Sequence, residues 1–278
     1  MVVLYTSPSY LTVLGYSSDT FEGKCALDWI HQDDIKSIVH QLNSILEGKE
    51  CSKIEYRFRN VNGDWVWFEA KVTPVFKEDG VFKNFLLESR EITERRSYEE
   101  TLTHMAFHDM LTGLPNQRLF KDRLDKAIME AARYNRKMAV MYMDMDGFKQ
   151  INDTFGHDVG DELLKQFAKR VKGCIRDYDT IARQGGDEFT VLLPEILYEQ
   201  DALEIAQRII NSLQELWKIG EHAISISSSI GIAFFPKDGI ERQELLKYAD
   251  RALYRAKEEG KNKYQTYSSL EVSIKNYR

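Results

Sequence analysis

The sequence predicts an α+β protein of two domains, and three observations carry that reading. Between residues 54 and 87, three alternating apolar and polar runs are separated by turn residues, the pattern of consecutive antiparallel strands. From residue 117 onward, amphipathic helical patterns are interleaved with short apolar runs. Between these regions lies a stretch rich in Glu and Arg, residues 93–108, without Pro or Gly. At 278 residues the chain has room for two hydrophobic cores.

In the first domain, Tyr10, Leu11 and Leu14 mark a short helix closed by Gly15-Tyr16. A longer helix follows Trp29-Ile30-His31-Gln32-Asp33-Asp34, with Ile35, Ile38, Val39, Leu42, Ile45 and Leu46 at helical spacing and Gly48 at its end. The strands are residues 54–58, 65–72 and 82–87, turning through Asn60-Val61-Asn62-Gly63-Asp64 and Glu78-Asp79-Gly80. Trp29, Tyr56, Trp65 and Trp67 read as core aromatics, and His40 as a structural helical histidine rather than a haem ligand. In the connecting stretch, Arg95, Tyr98, Leu102 and Met105 fall at four- and three-residue steps. That spacing suits a two-helix contact, and a solvated spacer helix is the alternative.

The second domain reads as a helix over 117–134, an apolar strand Met138-Ala139-Val140-Met141-Tyr142-Met143, and a short helix ending near Gly156. A helix over 160–174, a hairpin, a helix over 198–217, a strand pair around 223–235 and a last helix over 241–259 complete it. Such a mixture implies a central, mostly antiparallel sheet covered by helices.

Bulk properties narrow the function classes. A net charge of -6 gives no support for a nucleic-acid surface. Cys25, Cys51 and Cys174 are odd in number and widely separated, with neither a disulfide framework nor metal spacing, which fits a reducing, cytoplasmic setting and buried or half-buried side chains. No segment has the apolar length of a membrane span.

The chemistry gathers at two places. Arg183-Gln184-Gly185-Gly186-Asp187-Glu188-Phe189 lies between strand-like runs at 180–182 and 189–193, and its Gly-Gly pair signals a hairpin turn followed by two carboxylates. Alone, this reads first as an exposed turn with solvated acids. The apolar strand upstream also ends in acids, Asp144-Met145-Asp146-Gly147. Two strands ending in carboxylates at one sheet edge supply the hard oxygen donors that suit Mg²⁺ shared with substrate phosphates.

These residues, with Asp109-Met110-Leu111-Thr112-Gly113-Leu114-Pro115-Asn116 upstream and Gly260-Lys261-Asn262 downstream, resemble the GGDEF family, the diguanylate cyclases. The resemblance implies a palm-like cyclase fold over residues 109–270, followed by a tail, 271–278. It implies condensation of two GTP into cyclic di-GMP and two pyrophosphates. It assigns Mg²⁺, two per half-site, to Asp144, Asp187, Glu188 and the Met145 carbonyl, with Asp144, Asp187 and Glu188 as the catalytic acids. Asp146 is expected as a helix cap. Asn152 and Asp161 would read guanine, since Asp161 can accept from N1-H and N2-H₂, which adenine does not offer. Gly185 and Gly186 would lie against the nucleotide, and Lys149, Lys257 and Lys261 would contact phosphate. Arg176-Asp177-Tyr178-Asp179 reproduces the RxxD inhibitory motif, placing Arg176 and Asp179 in a product site. The resemblance also implies a homodimer, because one domain would carry one GTP. A non-catalytic receptor for GTP or cyclic di-GMP is the rival reading.

The first domain, residues 1–93, resembles a PAS sensory domain with an antiparallel sheet and a truncated first strand, leaving room for an upstream, even membrane-spanning, part. Arg90-Glu91-Ile92-Thr93 resembles that family's closing Asp-Ile-Thr signature with Glu in place of Asp, and Glu91 is expected to make the acidic contact there. Nothing in the sequence identifies a ligand for this domain. Residues 94–108 would be a signalling helix.

Overall fold

A computed structural model describes residues 1–48 and 53–268. The chain divides into two compact units, Met1–Leu102 and Thr103–Arg278.

In the first unit, α1 (Ser9–Leu14) ends on Gly15, and two 3₁₀ turns (Ser18–Thr20 and Ala26–Trp29) lead into α2 (Gln32–Leu46). Three strands follow, β1 (Ile54–Arg59), β2 (Trp65–Phe76) and β3 (Phe82–Glu91), antiparallel in the order β1-β2-β3. The core is organised on Phe21, which Tyr10, Tyr16, Trp29 and Phe58 meet edge-on with ring centroids 5.0–5.5 Å apart. Tyr56 is buried as expected, but Trp65 and Trp67 are not core residues. Period-two alternation puts them on the opposite face of β2 from buried Val66, Phe68 and Ala70. Trp67 instead receives the guanidinium groups of Arg57 and Arg96 over its ring, 5.1 and 4.8 Å from the centroid.

The closing signature also works differently from its expected form. Thr93 Oγ1 accepts from the Trp67 amide at 3.0 Å, and the Ile92 amide donates to the Trp67 carbonyl at 2.8 Å. Glu91 is exposed, and among the described residues it makes no ion pair. The acids come from the sheet: Glu55 receives Arg95 at 2.7 Å and also Arg96, and Glu69 lies 3.7 Å from Arg95.

Asp34, on the first turn of α2, ties that helix to β1. Its carboxylate accepts from the Arg57 amide and Nε, both at 2.9 Å, and from Nη2 at 2.7 Å. The Arg57 guanidinium holds the Asp34 carboxyl below its ordinary value. This stabilisation is therefore present above pH ~4 and lost as pH falls through the depressed value. Asp34→Ala should cost this unit about 2 kcal/mol at neutral pH, read by denaturant unfolding, and the cost should vanish in acid.

Helix α3 (Thr93–Phe107) leaves Tyr98, Leu102 and Met105 exposed. No helix among the described residues is long and apolar enough to cross a membrane.

The second unit contains α4 (Gln117–Tyr134), β4 (Lys137–Asp146), α5 (Phe148–Phe155), α6 (His157–Gly173), β5 (Thr180–Gly185), β6 (Glu188–Ile196), α7 (Glu199–Leu213), β7 (Trp217–Ile219), β8 (His222–Ile224), β9 (Ser227–Phe235), α8 (Arg242–Glu258) and β10 (Tyr264–Thr266). Five strands form one sheet in the order β10-β9-β4-β6-β5, with only β10 and β9 parallel. One face packs Met138, Val140, Leu192 and Phe235 against Phe120 and Leu124 of α4 and Leu245 and Ala249 of α8. The other packs Met141, Met143, Phe189 and Ile232 against α6 and α7. Helix α4 starts where the Asn116 side chain accepts from the amides of Arg118 and Leu119, satisfying two otherwise unpaired donors.

In the second unit, three features differ from the sequence reading. Helix α7 stops at Leu213, because Trp217 is a fully buried strand residue whose Nε1 donates to the Leu213 carbonyl at 3.0 Å. Strands β7 and β8 form their own ribbon, so the expected pair near 223–235 is split between two sheets. Helix α6 begins at His157 rather than 160. Cys25 is half-buried and Cys174 buried, both as free thiols; Cys51 and the tail at 271–278 lie outside the described residues.

Candidate active site

Strand β4 lies between β6 and β9, so Asp144 pairs with Glu188 on one side and Ser229 on the other. Strand β5 pairs Gly185 with Glu188, leaving Gly186 and Asp187 as the two-residue tip of the hairpin. Gly185 and Gly186 have φ of 147° and 53°, conformations that a side chain disfavours, which explains the glycine pair. The turn is braced from outside. Arg183 donates through Nε and Nη2 to the Gly186 carbonyl at 2.9 and 2.8 Å, and through Nη1 to both Asp109 oxygens at 3.1 and 3.2 Å. Burial pushes the Asp109 carboxyl up, but bonds from Thr112 and Arg183 outweigh it and hold the group below its ordinary value.

The pairing of β4 with β6 thus sets the acids of the two strand ends at the same end of the sheet, Asp144 opposite Glu188. Asp144, Asp187 and Glu188 share this edge, with the Met145 carbonyl one residue along. Burial raises the Asp144 carboxyl above its ordinary value; Lys257 opposes that rise and the Asp187 and Asp146 charges reinforce it. Lys257 Nζ lies 2.7 Å from Asp144 Oδ2. The Tyr142 hydroxyl donates to Glu188 Oε2 at 3.0 Å.

Among the described residues, no three His, Cys, Asp or Glu side chains form a ready metal cage. The donor set nevertheless fits Mg²⁺, which is usually held by one or two carboxylates and completed by water and substrate phosphate. The ammonium seated on Asp144 shows that this position accepts a cation.

Asp146 is not a helix cap, since Gly147 occupies that position without a side-chain bond. Its carboxylate accepts from the hydroxyls of Ser227 and Ser229 at 2.7 and 2.8 Å and from the Asn262 amide at 3.1 Å. It therefore pins the loop after α8, where Lys261 and Asn262 both have positive φ, 62° and 50°. The ammonium of Lys261 and that of Lys149, on α5, make no ion pair with another site residue among the described residues.

The Asn152 side chain of α5 lies against Gly160 of α6, the residue before Asp161. A Cβ there would stand 1.8 Å from Asn152 Oδ1, so the missing side chain makes room for the asparagine. Asp161 is exposed. Arg176 and Asp179 lie away from this edge, before β5. Asp179 is buried and accepts from the Arg176 amide at 2.8 Å, and burial raises its carboxyl. The Arg176 side chain is exposed, with Nη1 2.5 Å from the Tyr178 hydroxyl.

Sequence reasoning missed Tyr142 and the Arg183–Asp109 brace. Alternation along β4 puts Tyr142 on the face of Asp144, a signal that was available. The brace joins residues 74 positions apart, and no local pattern announces it.

The family profile described as "Diguanylate cyclase, GGDEF domain" matches residues 106–263. The chain belongs to this GGDEF family. A PAS fold profile precedes the GGDEF match, at residues 3–86. MucR of Pseudomonas aeruginosa, a bifunctional diguanylate cyclase/cyclic di-GMP phosphodiesterase, is 47% identical over 60% of this chain and 24% of its own length. The diguanylate cyclase TpbB of the same species is 41% identical over 64% of this chain and 42% of its own length. The chain thus spans less than half the length of either relative. The solved GGDEF domain of TpbB aligns with a TM-score of 0.57 at 40% identity, covering 58% of this chain and 94% of that one. The coiled coil and GGDEF domain of DgcB from Caulobacter crescentus, in complex with c-di-GMP, gives 0.57 at 27% identity, covering 63% and 93%.

Proposed function

We propose that this protein condenses two GTP into cyclic di-GMP and two pyrophosphates. The observation that carries the reading is the register that sets Asp144 opposite Glu188, the residue after Asp187 at the hairpin tip, with the Lys257 ammonium 2.7 Å from Asp144 Oδ2. The cyclase named in TpbB and the c-di-GMP bound to DgcB support it.

Asp144, Asp187, Glu188 and the Met145 carbonyl would hold Mg²⁺. When bound, it neutralises phosphate charge and makes the attacking 3′-hydroxyl more acidic. Asn152 and Asp161 orient the guanine, and Asp161 selects it by accepting from N1-H and N2-H₂. Lys149, Lys257 and Lys261 balance the triphosphate. The glycine turn lets the nucleotide approach the backbone, and Tyr142 holds Glu188 in place. Each GGDEF domain binds one GTP, so two copies of the chain must face each other for the hydroxyl of one nucleotide to reach the α-phosphate of the other. The exposed Tyr98, Leu102 and Met105 stripe of α3 suits that pairing. Residues 1–93 would act as the sensor, 94–108 as the signalling helix and 109–270 as the cyclase, in the cytoplasm. Arg176 and Asp179 would bind the product and slow turnover.

Incubation with GTP and Mg²⁺ followed by mass spectrometry tests the reading. Cyclic di-GMP with pyrophosphate is expected; GTP retained without product would mark a receptor instead. Gly160→Ala should keep its fold, because the flexible end of Asn152 must swing away while the Phe148 ring, 3.3 Å from the new methyl, need give only a few tenths of an ångström; KM for GTP should rise about ten-fold through a lost base contact. An unchanged KM would remove Asn152 from the site. Arg176→Ala should raise the cyclic di-GMP concentration that halves the rate by at least about ten-fold, since an Arg–phosphate contact is lost. Equal sensitivity in parent and variant would exclude the product-site role.

A further inference from the structure

We propose that Lys257 is a nucleotide-operated latch on the metal site. The Lys257 ammonium holds Asp144 until an incoming triphosphate draws it away, and only then does a divalent cation take its place. The inference rests on the reading of this edge as a metal and GTP site, and adds an order of events to it.

Four observations converge. Asp144 is largely shielded from water, with 13% of its side chain exposed, and Asp187 and Asp146 add like charge, so the carboxylate needs a counter-ion. Among the described residues, Lys257 is the only basic side chain paired with it, at 2.7 Å. Its side chain is 35% exposed at the last turn of α8, so the ammonium can leave without unpacking anything. The base of that side chain, in contrast, is fixed. A Cβ on Gly231 of β9 would lie 2.0 Å from the Ala249 carbonyl and 2.1 Å from the Leu253 amide, so α8 rests directly on the strand.

The energetics favour exchange over simple displacement. Without phosphate, a cation at Asp144 would gain too few protein ligands to offset its dehydration, and would leave Lys257 facing a divalent charge. With triphosphate present, the lysine keeps an anionic partner and the cation gains phosphate oxygens. Each ligand therefore favours the other, which is a reciprocal coupling.

Mn²⁺ binding to the full chain, followed by electron paramagnetic resonance with and without a non-hydrolysable GTP analogue, tests this. The parent should bind Mn²⁺ at least about ten-fold more tightly with the analogue. Lys257→Met should bind Mn²⁺ without nucleotide about ten-fold more tightly than the parent, and adding Asp144→Asn should erase that gain. Lys257→Arg keeps the charge and should stay as closed to Mn²⁺ as the parent, which guards against a fold defect in the methionine variant. If Lys257→Met binds nucleotide-free Mn²⁺ no better than the parent while the analogue still promotes binding, the latch is wrong and the metal site stands. If neither the analogue nor Asp144→Asn changes Mn²⁺ affinity in the parent, the metal-site reading fails and the latch with it.

Discussion

Asp144→Asn should leave a folded protein that makes almost no cyclic di-GMP, with kcat/KM reduced by about 10³ or more. The change removes a carboxylate that the proposed mechanism uses to hold the cation neutralising the reacting phosphates, and a preorganised charge of that kind contributes several kcal/mol to the barrier. Its effect on stability should have the opposite sign. The carboxyl is raised by burial and by Asp187, so keeping it ionised at neutral pH costs folding free energy. An amide removes that cost, and the partly exposed Lys257 can turn to water. The variant should therefore melt at or above the parent temperature. Loss of turnover together with a lower Tm would point to a structural role for Asp144 instead.

Gly231→Ala should act through the fold. The new methyl would meet the Ala249 carbonyl oxygen and the Leu253 amide nitrogen, both backbone atoms, at 2.0 and 2.1 Å. No rotamer change relieves that clash, so α8 must lift from β9. Overpacking against backbone falls at the upper end of its usual range, about 3 kcal/mol, and should lower Tm by roughly 10 °C. Helix α8 carries Lys257 and leads into the loop that Asp146 pins, so turnover should fall as well. Calorimetry and the product assay together check this; a variant with parental Tm would mean that α8 does not rest on β9 as closely as the structure has it.

The contrast between these two positions shows what was legible in the sequence. Asp144 announces itself locally, because an apolar run ending in acids is a strand end, and the Gly-Gly turn with Asp187 and Glu188 does the same. Alternation and helical spacing likewise foreshadowed the central sheet and its covering helices. Gly231 has no such signature: its meaning lies in the helix pressed against it, about twenty residues away in sequence. The Asp109–Arg183 brace was hidden for the same reason. Trp65 and Trp67 misled because large aromatics usually seek the core, whereas here the pleat turns them outward and arginines cover Trp67. Glu91 misled because the motif's acid was sought at its usual place, while Glu55 and Glu69 supply the charge from neighbouring strands. Strand β10 escaped because three residues carry too little periodicity to read.

The central claim is that acids from two strand ends seat a divalent cation beneath a guanosine triphosphate. Anomalous diffraction from crystals grown with Mn²⁺ and a non-hydrolysable GTP analogue tests it most directly. A peak is predicted at coordination distance, about 2.1 Å, from carboxylate oxygens of both Asp144 and Asp187, with phosphate oxygens completing the shell. Nucleotide bound with no anomalous density on Asp144 would contradict it.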